Sequence, residues 1–268
     1  MDSPAMPEGD TIYRSAATLR PAMQGGIIAK ARLRDPHFEV DRLVGATVNG
    51  VEARGKHLLM HLSTTDVIHS HMGMTGSWHI YHVGQTWLKP EHYAVLNLRI
   101  NDLEVICFSP KQLELLTADQ LRRHPHIQQL GPDIAANSEF DVATAVGNLR
   151  SRNQTPLGEA VMSQRLVCGI GNIYKSELLF IMGFDPFAPV EQFSDDELHR
   201  MLQKGRALML RNLGGPRRTT RFGSDAGRMW VYGRSGTPCP KCGAEIKLRR
   251  QGEAGRTTCW CPQCQPAR

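Results

Sequence analysis

No apolar run in the 268-residue chain approaches the ~18 residues that a membrane-spanning helix needs. The first thirty residues carry acids and lack the apolar stretch of a secretory signal, so the expected compartment is the cytoplasm. No repeat of 20–50 residues and no low-complexity tract is present, which excludes solenoids and arrays. Two further shortages are local. Only Cys107 and Cys168 of the seven cysteines precede residue 239, each in an apolar stretch where a buried, inert thiol is expected. Acids are scarce near the C-terminus: residues 200–268 hold 15 Lys and Arg against Asp225, Glu245 and Glu253, a net of +12 within a total of +6. The first 199 residues therefore sum to −6. Such asymmetry fits a basic C-terminal part facing a polyanion, although a solvated arginine-rich surface would give the same count.

What is present is the composition of a globular protein, 41% hydrophobic and 22% charged, long enough for two ordinary domains. Ile12, Ala16, Leu19 and Met23 fall at helical spacing in residues 10–23. From 26 to 116 the chain reads as strands, with KHLLMHLS, DVIHSHMGM, YAVLNLRI and LEVICFS separated by turn formers and Asn101-Asp102 as a hairpin turn. That spacing predicts an antiparallel sandwich or barrel. Beyond 116 the pattern turns helical. Segments 155–168 and 172–182 are predicted helices flanking Gly169-Ile170-Gly171-Asn172, with Gly183 and Pro186 closing the second. Ser194 with Glu197 reads as a capping box before an amphipathic helix, and 214–228 as a Gly- and Arg-rich loop.

Five cysteines crowd into the last 30 residues, and without a secretory signal that favours metal over disulfides. Cys239-Pro240-Lys241-Cys242 and Cys261-Pro262-Gln263-Cys264 are near-copies of one knuckle, so Cys239, Cys242, Cys261 and Cys264 are the expected ligands of one structural Zn²⁺. Cys259 is a rival ligand, but with Cys261 it gives the poorer C-x-C spacing. Four thiolates close a zinc site, so this metal does no chemistry and holds a platform for Lys247, Arg249, Arg250 and Arg256. At the glycine turn the exposed N–H groups of a helix start suit a phosphate, and Asn172 could cap the helix or donate to the same oxygen; taken alone, the turn fits a purely structural helix–turn–helix better.

Three separated stretches converge on one family. Met6-Pro7-Glu8-Gly9-Asp10, Gly169-Ile170-Gly171-Asn172-Ile173-Tyr174 with Glu177, and the four-cysteine ribbon with Gly255-Arg256-Thr257-Thr258 resemble, in order, signatures of the formamidopyrimidine-DNA glycosylase and endonuclease VIII family. The resemblance implies an α+β fold: an N-terminal helix on an antiparallel β-sandwich (6–125), a helix-two-turn-helix domain (135–225) and a zinc ribbon (229–268). It implies a bifunctional DNA glycosylase and AP lyase of base excision repair, acting as a monomer on double-stranded DNA with damaged bases or abasic sites. Pro7 would attack C1′ through its secondary amine and form a Schiff base, followed by β- and δ-elimination. An α-amino group with pKa near 8 is about a tenth neutral at pH 7, so the amine needs no special tuning. Glu8 would move protons. Lys56, in Arg54-Gly55-Lys56-His57, would hold a phosphate beside the lesion, and Asn172 and Arg256 would grip the backbone. Met74 would fill the gap left by the flipped nucleotide. Against these roles stand simpler ones: a first-turn acid for Glu8, a solvated lysine for Lys56, a core filler for Met74.

The chain departs from the family pattern twice. Pro7 follows six residues, which puts its nitrogen in an amide; the expectation is a start at Met6 with that methionine removed, or clipping of the extension. In the stretch where formamidopyrimidine glycosylases carry an Arg and a Phe, this chain has Ser109-Pro110-Lys111-Gln112-Leu113-Glu114. With the unlike 214–228 loop, that favours the endonuclease VIII branch and oxidised pyrimidines, with Lys111, Gln112 and Leu113 as replacement wedge candidates. The alternatives are a non-catalytic damage binder on the same fold and a zinc-ribbon nucleic-acid adaptor.

Overall fold

Ile12, Ala16, Leu19 and Met23 occupy one face of a helix, and in the computed structural model of the chain that face is buried along α1 (Gly9–Met23). The structure describes residues 7–34, 40–136, 139–215, 217–223 and 227–268. The chain divides between Gln129 and Leu130 into two compact units.

In the first unit α1 is followed, among the described residues, by eight strands: β1 (Ile28–Leu33), β2 (Val48–Arg54), β3 (His57–Leu62), β4 (Val67–His71), β5 (Ser77–His82), β6 (Ala94–Ile100), β7 (Leu103–Phe108) and β8 (Gln112–Leu116). They form two antiparallel sheets, ordered β1-β6-β7-β5 and β2-β3-β4-β8. The predicted sandwich is thus observed, with Asn101 left-handed (φ 54°) in the β6–β7 turn. One core joins α1 to both sheets through Leu19, Met23, Val48, Met60, Leu96, Leu98 and Val105. The short helices α2 (Ala118–Arg123) and α3 (Pro125–Gln128) close the unit.

The second unit contains α4 (Val142–Arg150), α5 (Leu157–Ala160), α6 (Asn172–Met182), α7 (Asp195–Arg211) and the hairpin of β9 (Lys247–Gln251) and β10 (Arg256–Trp260). Helix α6 spans the predicted residues, and α7 starts at the expected box, Ser194 and Glu197 each bonding the other's backbone. The helix predicted over 155–168 is instead the single turn of α5 followed by turns. The cause is Gln164, whose amide donates to the carbonyls of Met162 and Ile170 and accepts the Gly169 N–H, folding the chain back before α6. Gly169 sits at φ 101°, a region an L side chain rarely enters. The helices and the ribbon share this one unit. No helix among the described residues is long and apolar enough to cross a membrane.

Candidate nucleic-acid interface and catalytic end

In the first unit the hydrogen-bond ladder brings distant residues to one edge. His57 at the start of β3 pairs with His71 at the end of β4, which pairs with Gln112 at the start of β8. The β2–β3 turn carrying Lys56, the loop after β4 carrying Met74, and Lys111 therefore share one end of this sheet. Helix α1 reaches the same end. Its C-terminal part is fastened along β2, by the Arg20 guanidinium on the mid-strand Val51 carbonyl (2.9 Å) and, just beyond the helix, by the Gly25 N–H on the Val48 carbonyl at the far end of the strand (2.8 Å). The N-terminus of α1, with Pro7 and Glu8, consequently runs toward the Lys56 turn.

Glu8 is buried at the N-cap of α1, and its side chain caps nothing. The acid that bonds the first-turn backbone is Asp10, whose carboxylate accepts the Thr11 N–H at 2.8 Å. Pro7 is partly buried immediately before it, and Met1–Met6, the extension and expected start, lie outside the described residues. Lys56 is partly buried rather than fully solvated. Met74 is 61% exposed, which removes the core-filler reading.

Met74 stands in a constrained loop. Gly73 is left-handed (φ 64°), and a Cβ there would lie 2.7 Å from the Lys111 Cβ, so the Lys111 stem covers this glycine. Ser109, on the facing loop, also holds positive φ (41°), a strain that accompanies positioned functional loops. Of the three wedge candidates only Lys111 is exposed. Gln112 and Leu113 are corrections: both are ladder residues of β8, and Leu113 packs against the core.

Histidines line this end. Burial pushes His57 down to about 3, with His69, His71, His124 and His126 adding to it; burial, then Lys111 and Lys56, pushes His71 down to about 4. Both rings are neutral near pH 7. Unfolded imidazoles titrate near 6.5, so between about 3 and 6.5 the unfolded chain binds more protons, and stability falls as pH drops through that window. His57 alone removes about 2 kcal/mol between neutral pH and pH 5, and His71 acts in the same direction. Urea midpoints of the sandwich unit should therefore fall steeply from pH 7 to pH 5; a flat profile would contradict buried neutral rings.

In the second unit α6 begins at Gly171 as N-cap, so Asn172 is not the cap. Asn172 is 3% exposed, its amide lies 3.2 Å from the Thr257 hydroxyl on β10, and its Oδ1 has no hydrogen-bond partner. Because a threonine hydroxyl both donates and accepts, the amide can turn over and keep that bond, leaving two N–H donors for an incoming oxygen. Lys175, buried one turn on, donates to the Thr257 carbonyl (3.1 Å) and the Thr258 hydroxyl (2.8 Å). Helix start and ribbon are thus joined, with exposed Arg256 beside Thr257. Glu177, fully buried, accepts the backbone N–H groups of Trp230, Val231 and Tyr232 and the Thr220 hydroxyl, anchoring the chain that leads into the ribbon.

The sulfurs of Cys239, Cys242, Cys261 and Cys264 lie within 4.8 Å of one another, with pairs at 3.4 and 3.9 Å. A tetrahedron with Zn–S arms of about 2.3 Å has edges of about 3.8 Å, so the set fits zinc. Burial and the three neighbouring sulfurs push the Cys264 thiol up, a crowding of charge that a cation relieves. Cys259 is excluded from the set and buried in the ribbon's own small core. Arg206, Arg211, Arg218, Arg221, Arg249 and Arg268 lie over aromatic rings, and Lys247, Arg249, Arg250 and Arg256 are exposed along the hairpin. Lys175, Gln164 and Asn212, which bonds the Tyr174 hydroxyl and the backbone of Thr219, carry no motif in the sequence.

Residues 6–121 match the family model of the formamidopyrimidine-DNA glycosylase N-terminal domain, and residues 130–222 that of the formamidopyrimidine-DNA glycosylase H2TH domain. The chain is 38% identical to a probable endonuclease 8 2 of Streptomyces coelicolor, over 97% of this chain and 94% of that one. It is 37% identical to the DNA-(apurinic or apyrimidinic site) lyase Nei2 of Mycolicibacterium smegmatis, over 98% and 100%. Its fold matches the formamidopyrimidine-DNA glycosylase of Lactococcus lactis, solved with DNA containing an abasic site, at a TM-score of 0.81 and 24% identity over 97% and 100% of the two chains.

Proposed function

The chain belongs to the family of formamidopyrimidine-DNA glycosylases and endonuclease 8 enzymes, DNA-repair enzymes of the glycosylase and AP lyase class, and from that premise we propose that it acts through the amine of Pro7 with oxidised pyrimidines as preferred substrates. The observation that carries this reading is the shared end of the sandwich unit, where the start of α1 with Pro7 and buried Glu8, the Lys56 turn and the Met74 loop gather. An amine, an acid, a phosphate clamp and a filler for the vacated stack are the groups that one extruded nucleotide requires.

The Pro7 nitrogen, as a free secondary amine, attacks C1′ while the bond from C1′ to the base breaks and the base leaves with a proton. The C1′–O4′ bond then opens, with O4′ taking a proton, and the iminium so formed acidifies C2′, whose proton is removed as the 3′ phosphate departs; δ-elimination then releases the 5′ phosphate. Glu8, buried beside the amine, handles protons in ring opening and elimination. In an amide the nitrogen lone pair is delocalised and none of this proceeds, so the active form starts at Pro7. The family match beginning at Met6 supports that start. Lys56 holds a phosphate beside the lesion, and Asn172 and Arg256 hold the backbone from the second unit. The protein works as a monomer. Zn²⁺ on Cys239, Cys242, Cys261 and Cys264 holds the ribbon in shape.

The pyrimidine preference is supported by the missing Arg–Phe pair, for which only Lys111 projects, and by the endonuclease 8 relative. Single-turnover cleavage of duplexes carrying thymine glycol should exceed that of 8-oxoguanine by about tenfold or more, a difference of about 1.4 kcal/mol. The reverse order would place the chain with the purine-directed branch.

A further inference from the structure

A second group of metal-ligand type lies in the sandwich unit: one donor atom each from His69, Glu114 and His124, all within 4.8 Å of one another. Proton bookkeeping argues against a metal there. His124 Nδ1 accepts the Ile127 N–H (3.3 Å), so the ring proton sits on Nε2, which donates to Glu114 Oε2 (3.1 Å). A cation on Nε2 would move that proton to Nδ1 and set N–H against N–H. The same carboxylate oxygen accepts from His69 Nδ1 (2.8 Å). His69 Nε2 is then a lone pair and accepts from His57 Nδ1 (2.8 Å), which leaves the lone pair of His57 on Nε2, turned away from His69. Each tautomer is dictated by the next member of the chain, and the direction is set by a single carboxylate.

The chain ends at the proposed catalytic end. His57 follows Lys56, opens β3, and faces His71 at 5.1 Å between ring centres. We propose that Glu114, acting through His69 and His57, is a positioning residue for the Lys56 turn, holding His57 as a neutral ring with its acceptor at Nε2. Burial pushes the Glu114 carboxyl up, but the hydrogen bonds from His69 and Gln112 outweigh it and keep it ionised. The arrangement places one fixed acceptor, not another cation, among Lys56, Lys111 and His71. Its part in catalysis rests on the function proposed above; its tautomers do not.

Imidazole ¹⁵N spectra at pH 7 on the zinc-loaded protein that starts at Pro7 test it. His57 and His69 are expected as Nδ1–H tautomers and His124 as Nε2–H. Glu114→Gln, which keeps an oxygen where both rings donate, should preserve these tautomers, the Gly55 and Lys56 amide shifts, and the rate of borohydride trapping on abasic duplex within about twofold. Glu114→Met removes the acceptor. In that variant the His57 tautomers should mix, the Gly55 and Lys56 amides should shift, and trapping should slow about tenfold while affinity for the duplex stays within about twofold. Unchanged tautomers in the Met variant, or two zinc ions per chain with His69 coordinated, would overturn the proposal. If the wild type forms no adduct at all, the function reading fails, and the ring and amide spectra still decide whether Glu114 positions the turn.

Discussion

Protein beginning at Pro7 should cleave abasic duplex, and protein retaining Met1 to Met6 should not. The difference is one bond. As the N-terminal residue Pro7 has a basic secondary amine; as an internal residue it has an amide nitrogen that cannot form an iminium. The expected effect is total loss of Schiff-base chemistry with duplex binding retained, because Lys56, Met74, Asn172 and Arg256 are untouched. Glu8→Gln in the Pro7-start protein should lower base release by about 10²–10⁴. Gln keeps the volume and shape of the side chain, so the melting temperature should change little. Equal cleavage by all three proteins would remove both residues from the mechanism.

Stripping zinc should have the second large effect. The ribbon's own core is small, built from Val231, Ile246 and the cysteines against Phe180. Structural zinc contributes on the order of 10–16 kcal/mol in zinc-finger peptides, as much as a whole domain's stability. Chelation, or Cys261→Ser, should therefore unfold the hairpin and take from Lys175 its two acceptors on β10 and from Asn172 its bond to Thr257. Loss of Arg256 and its neighbouring cations should weaken duplex binding on the order of a hundredfold, with a shallower salt dependence. The sandwich unit, with its separate core, should keep its β-sheet circular dichroism. A metal-free chain that binds duplex with unaltered affinity would contradict this role.

Much of this was legible in the residues because the signals were local. The two knuckles announced their four sulfurs, short β-rich runs and turn formers announced the sandwich, and Gly183 with Ser194 and Glu197 marked helix boundaries. The failures are tertiary. Residues 155–168 have helical spacing, but Gln164 reaches around the glycine turn and breaks the helix, a bond between side chain and distant backbone that periodicity does not register. Leu113 is a wedge candidate by its position two residues after Lys111, yet it lies inside β8 and packs against the sandwich core, a tertiary contact that nearness in sequence does not register. Asn172 belongs to the glycine motif, but its bond to Thr257 crosses 85 positions of sequence. The histidine chain had one sign: polar rings at inward positions of HLLMHL and VIHSHM, where a strand should be apolar.

The measurement closest to the central claim is the chemical identity of the trapped residue. Pro7-start protein incubated with abasic duplex and borohydride should yield a covalent adduct, and peptide mass mapping should find the reduced sugar on the Pro7 nitrogen. A sugar on Lys56 or another lysine, or tight binding with no adduct, would contradict the proline mechanism and make the shared end of the sandwich a recognition surface only.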